Sequence, residues 1–273
     1  MVLTAVNTEA EAESAVRLTT ATRIVLIVEY DGTRYHGSQL QAGLPTIQGE
    51  MEKALWELTG RRTRVAAAGR TDAGVHAWGQ IISFKTVAPY STETFVKALN
   101  YYLPGDIAVK VSHRVRDSFN VRHQAVSREY QYHILNSLTR SPLGQGLAHF
   151  VGGQLDIAAM NEASQALLGE HDFASFCSGT RDELKSTVRR VYRAEVGRDG
   201  QLVVFKMVAN AFLPHQVRST VGALIKIGLG KLSGDEFRSI MAARKPGLAG
   251  PTAPACGLYL MQVSYPRPFE EEI

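Results

Sequence analysis

The alternation of strand-like and helix-like patterns in the first half of the chain limits its possible folds more than any other feature. The predicted elements are a strand at Arg23–Tyr30, a helix between Thr46 and Gly60, strands at 63–68 and 79–86, a helix between Ser91 and Pro104, and a strand at Ile107–Val111. This order is the ferredoxin-like pattern, which RNA-recognition modules also use. The aromatic base-stacking signature of the standard RNA-recognition domain is absent from the sequence.

The second half of the chain repeats this scheme loosely. The predicted elements are a strand at Arg128–Leu135, a helix between Asp156 and Gly169, a hairpin of Thr187–Glu195 with Gln201–Val208, a helix carrying Val217 and Val221, a helix opened by a Ser233/Glu236 capping box, and a closing strand at Cys256–Val263. We therefore predict an α+β fold of two ferredoxin-like halves, 22–118 and 119–266, between a disordered tail at 1–21 and a second tail at 267–273.

A single carboxylate stands between glycines in the loop Gly69–Gly74, whose sequence is Gly-Arg-Thr-Asp-Ala-Gly. Asp72 follows Arg70 by two residues, and a nearby cation keeps a carboxylate ionised. The bracketing glycines allow the backbone to approach a ligand closely. An ordinary turn is the alternative, since Asp and Gly between apolar strands usually mark one, although a hairpin requires only Asp-Gly or Asn-Gly. Asp72 is the first candidate for catalysis.

The charge balance favours an acidic polymer as a partner. Between residues 22 and 266 there are 28 basic and 20 acidic side chains, a balance of +8. An excess of this size is compatible with nucleic-acid binding. Basic side chains crowd two spans, His113–Arg128 and Arg181–Arg198. Each span is either a solvated face or a phosphate-binding surface.

Cysteine usage and hydropathy exclude several classes of protein. Cys177 and Cys256 lie far apart, which excludes a disulfide framework and suits a reducing compartment. The sequence has no CxxC pair and no HExxH, so we expect no zinc site. No run approaches the roughly 20 apolar residues of a membrane span. The small, acidic residues near the N-terminus are not a secretory signal.

Two more residues are candidates, each with a simpler explanation. Arg218 lies close to the apolar stripe of its predicted helix, where a charge needs a carboxylate partner unless it reaches the rim. Tyr130 and Tyr132 share one face of a strand because side chains alternate. They are core aromatics, or a tyrosine beside a carboxylate stacks on a flipped base or moves a proton.

With these residues in view, the chain resembles the TruA family of tRNA pseudouridine synthases. Gly69–Gln80 matches the family signature G-R-T-D-A-G-V-H-x-x-G-Q. Supporting matches run in family order from about residue 24 to 264: Asp31-Gly32-Thr33, Thr46-Ile47-Gln48, Arg128 with Tyr130, His171-Asp172-Phe173, Phe212-Leu213 with Val217-Arg218, and Ala253-Pro254-Ala255. The departures are Ser38, where the family usually has Trp, and Pro214, Gln216 and Ser219 around Arg218.

The resemblance implies two ferredoxin-like halves whose sheets join into one extended sheet, with helices on one face and the active site in the central cleft. It also implies a homodimer in which each tRNA spans both subunits. The reaction would be uridine to pseudouridine at positions 38, 39 and 40 of the tRNA anticodon stem-loop. It would take place in the cytoplasm, without a cofactor or metal.

The chemistry implied by the resemblance gives each candidate a role. The N1–C1′ bond breaks and the uracil rejoins through C5, so one ionised carboxylate suffices. Asp72 would attack C1′ or act as a base at the ribose, and the sequence leaves both open. Arg218 would pair with Asp72 and keep it ionised. Arg70 would fill the space of the flipped base or hold its phosphate, and Tyr130 would stack on the uracil and could serve in the proton transfer from C5.

Two alternative functions remain at this point. A non-catalytic RNA-binding module would account for the charge and the order of elements. It would not account for Asp72, because a bare carboxylate repels phosphate. The other alternative is a synthase of the same family that acts on a different RNA.

Overall fold

The computed structural model describes residues 21–178, 186–267 and 269, so the predicted tails lie mostly outside it. Ten strands in this part of the chain form one mixed sheet. The strands are β1 (Thr22–Tyr30), β2 (Ala66–Ala67), β3 (His76–Thr86), β4 (Ile107–Val115), β5 (Ser127–Asn136), β6 (His149–Val151), β7 (Gly169–Asp172), β8 (Val188–Asp199), β9 (Leu202–Ala209) and β10 (Leu258–Ser264). Their order is β4-β1-β3-β10-β5-β9-β8-β7, with β2 paired to β3 and β6 paired to β5.

The last strand of the chain joins strands from the two halves of the sequence. β10 runs parallel to β3, with Tyr259 opposite His76. On its other side it runs antiparallel to β5, with Leu260 opposite Tyr130. The prediction of an α+β fold built on one extended sheet is therefore confirmed. The boundary between the halves at 118/119 stays a prediction.

Five α-helices lie in the described residues: α1 (Ile47–Thr59), α2 (Thr92–Tyr102), α3 (Ile157–Gln165), α4 (Gln216–Gly228) and α5 (Gly234–Ala243). The first three begin at the predicted caps, where the side chains of Thr46, Ser91 and Asp156 accept a backbone N–H of the first turn. Such a cap satisfies one of the N–H groups that the helix leaves free. The predicted capping box of Ser233 and Glu236 opens α5.

Several predicted boundaries in the first half were wrong. Of the strand expected at 63–68, only Ala66 and Ala67 pair with β3. β3 itself begins at His76 rather than at residue 79, and β4 continues beyond Val111 to Val115. Strand length depends on the partner strands available, which a local pattern does not contain.

The second half needed similar corrections. Helix α3 ends at Gln165, so Leu167 lies beyond it, and Gly169 begins a strand instead of stopping the helix. The closing strand begins at Leu258, because Ala255–Gly257 forms a short 3-10 turn.

Helix α4 is the most deeply buried helix and carries one side of the site. Ten of its thirteen residues are buried, including Val217, Thr220 and Leu224, as expected for a core helix. The other three, Arg218, Gly222 and Lys226, are spaced four residues apart and lie along one side of the helix. It packs against α3 and β5. This packing fixes its first turn, where Arg218 lies.

Candidate active site

Asp72 follows Thr71, a residue that hydrogen bonds hold in place. Thr71 is buried, and its backbone N–H donates to Ser38 Oγ over 2.8 Å. The Thr71 carbonyl accepts from the Ser38 N–H over 3.0 Å, and its hydroxyl lies 2.8 Å from the Tyr30 hydroxyl. Ser38, a departure from the family pattern, therefore helps to fix the loop. Asp72 is left half-buried at its surface.

Two glycines are required by the geometry of this loop. Gly74 has a φ of +78°, in the left-handed region that favours glycine. Gly37 has a φ of +91°, and a Cβ built there would lie 2.9 Å from the Thr71 carbonyl oxygen. Gly69 differs, since a Cβ there would meet nothing within 4 Å. Gly74 is thus needed for its backbone conformation, and Gly37 for its close packing against Thr71. The expectation that the flanking glycines let the backbone approach a ligand stays a prediction.

The two carboxylate oxygens of Asp72 have different surroundings. Oδ2 accepts from Arg218 Nη1 at 3.0 Å and lies 3.4 Å from His215 Nε2. Arg218 Nε also donates to the Ala253 carbonyl over 2.8 Å, which fixes the guanidinium from a second direction. Oδ1 has no partner among the described residues. One oxygen is therefore held by two basic groups, and the other is free for a substrate.

The sequence analysis missed His215. It is the residue before α4 and has a φ of 62°, which is uncommon for a residue other than glycine. This backbone conformation accompanies the approach of the imidazole to Asp72. The available signal was its position in the sequence, since His215 stands only three residues before Arg218.

Tyr130 lies beside Asp72 on β5 and is 8% exposed. Its ring meets Phe212 edge-on at 5.0 Å, and its hydroxyl makes no hydrogen bond with the described residues. Burial raises the pKa of Tyr130, and the nearby Tyr30 and Asp72 raise it further. The neighbouring Tyr132 is a core residue whose hydroxyl donates to the Pro254 carbonyl over 2.7 Å.

An open cleft of about 530 Å³ brings the predicted residues together. All four predicted site residues line it: Asp72, Arg70, Arg218 and Tyr130. Four further basic side chains also line it: His215, Arg122, Arg128 and Arg189. A cleft with walls of one sign raises the local concentration of the opposite charge. The arrangement therefore suits a polyanion with a reacting group held at Asp72.

The arginines of the first basic span differ in what they can bind. Arg128 donates to four backbone carbonyls, including those of Ala68 and Asn210, so its guanidinium is used inside the protein. Burial lowers the pKa of Arg128. Arg122 of this span is exposed, and so is Arg70 of the Asp72 loop. The side chains of both make no hydrogen bond or ion pair with the part of the chain that the structure describes.

The second basic span is only partly described. Arg181 and Lys185 lie outside the described residues. Arg193 pairs with Glu195 at 2.7 Å. Arg189 lines the cleft, donates to two nearby carbonyls, and leaves its buried Nε without a partner. Among the described residues of this span, Arg189 is thus the basic residue that lines the cleft.

The described residues contain neither a metal-binding cluster nor a helix that could cross a membrane. Within 21–178, 186–267 and 269, three or more His, Cys, Asp or Glu side chains nowhere gather in a way that could hold a metal ion. None of the helices described there combines the length and the apolar character needed to cross a membrane.

Comparison with known proteins identifies the family. A family model described as tRNA pseudouridine synthase matches residues 26–124 and 163–266, and the second segment includes Arg218. The chain belongs to the tRNA pseudouridine synthase family. This family is one of isomerases, which excludes the alternative of a non-catalytic RNA-binding module.

Curated relatives of this pseudouridine synthase cover nearly all of its length. A protein of Geobacillus kaustophilus named tRNA pseudouridine synthase A is 44% identical over 89% of this chain and 94% of its own. A Legionella pneumophila protein of the same name is 42% identical over 90% of this chain and 94% of its own. A Chloroflexus aurantiacus protein, also of that name, is 43% identical over 89% of this chain and 88% of its own.

Another motif residue of the synthase lies behind the loop and not in the cleft. His76 is buried, and its ring stacks on Tyr259 at 4.6 Å. Its Nε2 lies 2.9 Å from the Gly146 carbonyl oxygen and 3.2 Å from that of Cys256. A protonated Nε2 donates to both carbonyls. His76 therefore ties the start of β3 to two distant segments.

Proposed function

We propose that this protein converts uridine to pseudouridine at positions 38, 39 and 40 of the tRNA anticodon stem-loop, with Asp72 acting on a uridine flipped out of the stem. The observation that carries the proposal is the asymmetry of Asp72. One oxygen is held by Arg218 and His215, and the other is free in a cleft rich in arginine. Family membership supports the reaction, and the tRNA positions rest on the resemblance of the motifs.

The reaction conserves every atom of the nucleoside except for exchange of protons. The N1–C1′ bond breaks, the uracil turns, and a C5–C1′ bond forms. The hydrogen at C5 leaves as a proton, and N1 gains one. Asp72 Oδ1 either bonds to C1′ and is later displaced by C5, or removes a proton from the ribose. In both routes the carboxylate reacts through Oδ1, while Arg218 and His215 contact Oδ2.

Arg70 is the residue we assign to base flipping. Extruding a paired uridine costs a few kcal/mol, and the cost is lower if a side chain replaces the base in the stack. Arg70 lies two residues before Asp72, is exposed, and has no partner among the described residues. Its guanidinium is therefore available to enter the stem or to hold the displaced phosphate.

Tyr130 is the residue we assign to holding the uracil. Its ring is positioned beside Asp72, and burial keeps its hydroxyl protonated at neutral pH. It can stack on the base and donate a hydrogen bond. Because its hydroxyl is protonated, Tyr130 can accept the C5 proton only if it gives its own proton to another group. In that transfer it therefore acts as a proton relay.

The proposal also includes the assembly and location implied by the resemblance. Two copies form a homodimer, and each tRNA contacts both. The protein works in the cytoplasm, in keeping with the free thiols of Cys177 and Cys256. Light scattering of the purified protein, alone and with tRNA, tests the dimer: a monomer in both samples contradicts it.

Mapping the modified positions tests the assigned substrate. Unmodified tRNA transcripts carrying uridine at 38, 39 or 40 are incubated with the protein, and pseudouridine is located by base-specific chemical sequencing. We expect modification at those three positions and at no other uridine. Modification confined to other positions, or to another RNA, would show a synthase of this family with a different substrate.

A further inference from the structure

A second pocket opens beside the catalytic cleft. It has a volume of about 310 Å³, at the lower end of the range for small-ligand sites. Its lining includes the buried apolar side chains of Val65 and Ile82, the exposed Ala66, and the polar or basic side chains of Gln39 and His123. No acidic residue lines it. An apolar floor under a cationic rim fits a base attached to a phosphate.

The two cavities share a wall. Gly69, Arg70 and Arg122 line both the pocket and the cleft that contains Asp72. A chain that enters the cleft with one nucleotide therefore passes the rim of the pocket with the next. Neither Arg70 nor Arg122 makes a side-chain hydrogen bond or ion pair with the described residues.

The backbone of both arginines is fixed although their side chains are free. Gln80 Nε2 donates to the Gly69 carbonyl over 2.9 Å, which holds the peptide before Arg70. Asn120 Oδ1 accepts the N–H groups of Arg122 and His123 at 3.1 and 3.0 Å. The Arg122 carbonyl in turn accepts from Arg128. A rigid backbone that presents two unpaired guanidiniums is preorganised for an anion.

We propose that this pocket binds the nucleotide adjoining the target uridine in the same RNA. The neighbouring base lies on the apolar floor, with His123 at its side, and the phosphate that links it to the target lies between Arg70 and Arg122. This inference rests on the proposed function, because it requires an RNA whose uridine occupies the Asp72 cleft. Two adjacent nucleotides would then be held together, which fixes the register of the strand at the reacting base.

A pocket-filling variant and an RNA without one base provide the test. Ala66 is an exposed residue of the short strand β2, so Ala66→Phe fills the pocket and suits a strand. Val111→Phe, at an exposed position of β4 that lines neither cavity, is the matched control. Each protein is assayed in single turnover on a tRNA and on versions with an abasic site on the 5′ or 3′ side of the target uridine.

We expect the single-turnover rate constant divided by Kd to fall roughly tenfold for the wild type and for Val111→Phe when one flanking base is removed. A loss of this size corresponds to one lost stacking contact. On intact tRNA the same ratio should be about tenfold lower for Ala66→Phe than for the wild type. On that abasic tRNA it should fall no further. Arg122→Gln, which removes an exposed side chain without an internal partner, should show the same lack of additivity. This variant serves if Ala66→Phe does not fold.

If the loss from Ala66→Phe or Arg122→Gln adds fully to the loss from the missing base at both flanking positions, the pocket assignment is overturned. The synthase activity itself is not called into question by that result. Absence of activity of the wild type on every intact tRNA would contradict the proposed function instead. The two failures are thus distinguishable within one set of assays.

Discussion

At the scale of single residues, the surroundings of Asp72 determine what the site can do. Arg218 and His215 both contact Oδ2, which leaves Oδ1 to face a substrate. That Asp72, Arg70, Tyr130 and Arg218 lie in one cleft could be predicted, because each belongs to a motif of fixed spacing. Their roles in the reaction stay predictions. His215 could not be predicted with the same ease. Its place depends on a left-handed backbone conformation that sequence signals only for glycine, asparagine or aspartate.

A pair of substitutions at His215 separates its ring from its backbone. His215→Ala and His215→Gly both remove the contact with Asp72, so we expect equal losses of roughly tenfold in the single-turnover rate. Only glycine adopts a φ of 62° without strain. The glycine variant should therefore be about 1 kcal/mol more stable than the alanine variant in urea unfolding. Wild-type rates in both variants would show that the imidazole has no part in positioning Asp72.

At the scale of elements, helix starts could be predicted and strand ends could not. Thr46, Ser91 and Asp156 bind N–H groups only three residues away, so the cap is encoded locally. Of the predicted strand at 63–68, only Ala66 and Ala67 pair with β3, opposite Ser83 and Ile82. Such pairing depends on a partner strand, which a local pattern does not contain. The loop that carries Asp72 likewise depends on a distant segment, which supplies Ser38 and Gly37.

The contact between Gly37 and the loop that carries Asp72 gives a prediction at the scale of elements. In Gly37→Ala, a Cβ 2.9 Å from the Thr71 carbonyl and a φ of +91° force the segments apart. We expect a loss of about 1–3 kcal/mol in the free energy of unfolding, with a lower rate of pseudouridine formation. Gly197→Ala is the control, since nothing lies within 4 Å of its added Cβ. Equal stability of the two variants in urea denaturation would contradict this account of the loop.

At the scale of the whole molecule, β10 brings the two halves together and so assembles the site. Asp72 comes from the first half, whereas Tyr130 and Arg218 come from the second. The basic excess could be predicted by counting residues. Which arginines are free to bind RNA could not be predicted in this way. Arg128 donates to four backbone carbonyls of the protein, whereas the Arg122 side chain has no partner among the described residues.

The pH dependence of folding is a second property of the whole molecule. Burial lowers the pKa of His149, and burial and His76 lower that of His133. The unfolded chain therefore binds protons that the folded protein does not, and stability falls as the pH drops below about 6.5. His149→Gln should reduce the slope of unfolding free energy between pH 7 and 5 by up to about 1.4 kcal/mol per pH unit. The exposed His36→Gln is the control, and equal slopes in both variants would refute the effect.

The measurement that tests the central claim most directly is release of tritium from tRNA labelled at C5 of uridine, in single turnover with Asp72→Asn. The amide keeps the shape of the side chain but removes the charge, so we expect no release above background, with tRNA affinity within about threefold of wild type. Asp235→Asn, at an exposed carboxylate on α5, should react like the wild type. Release at the wild-type rate by Asp72→Asn would contradict the assignment of the chemistry to this carboxylate.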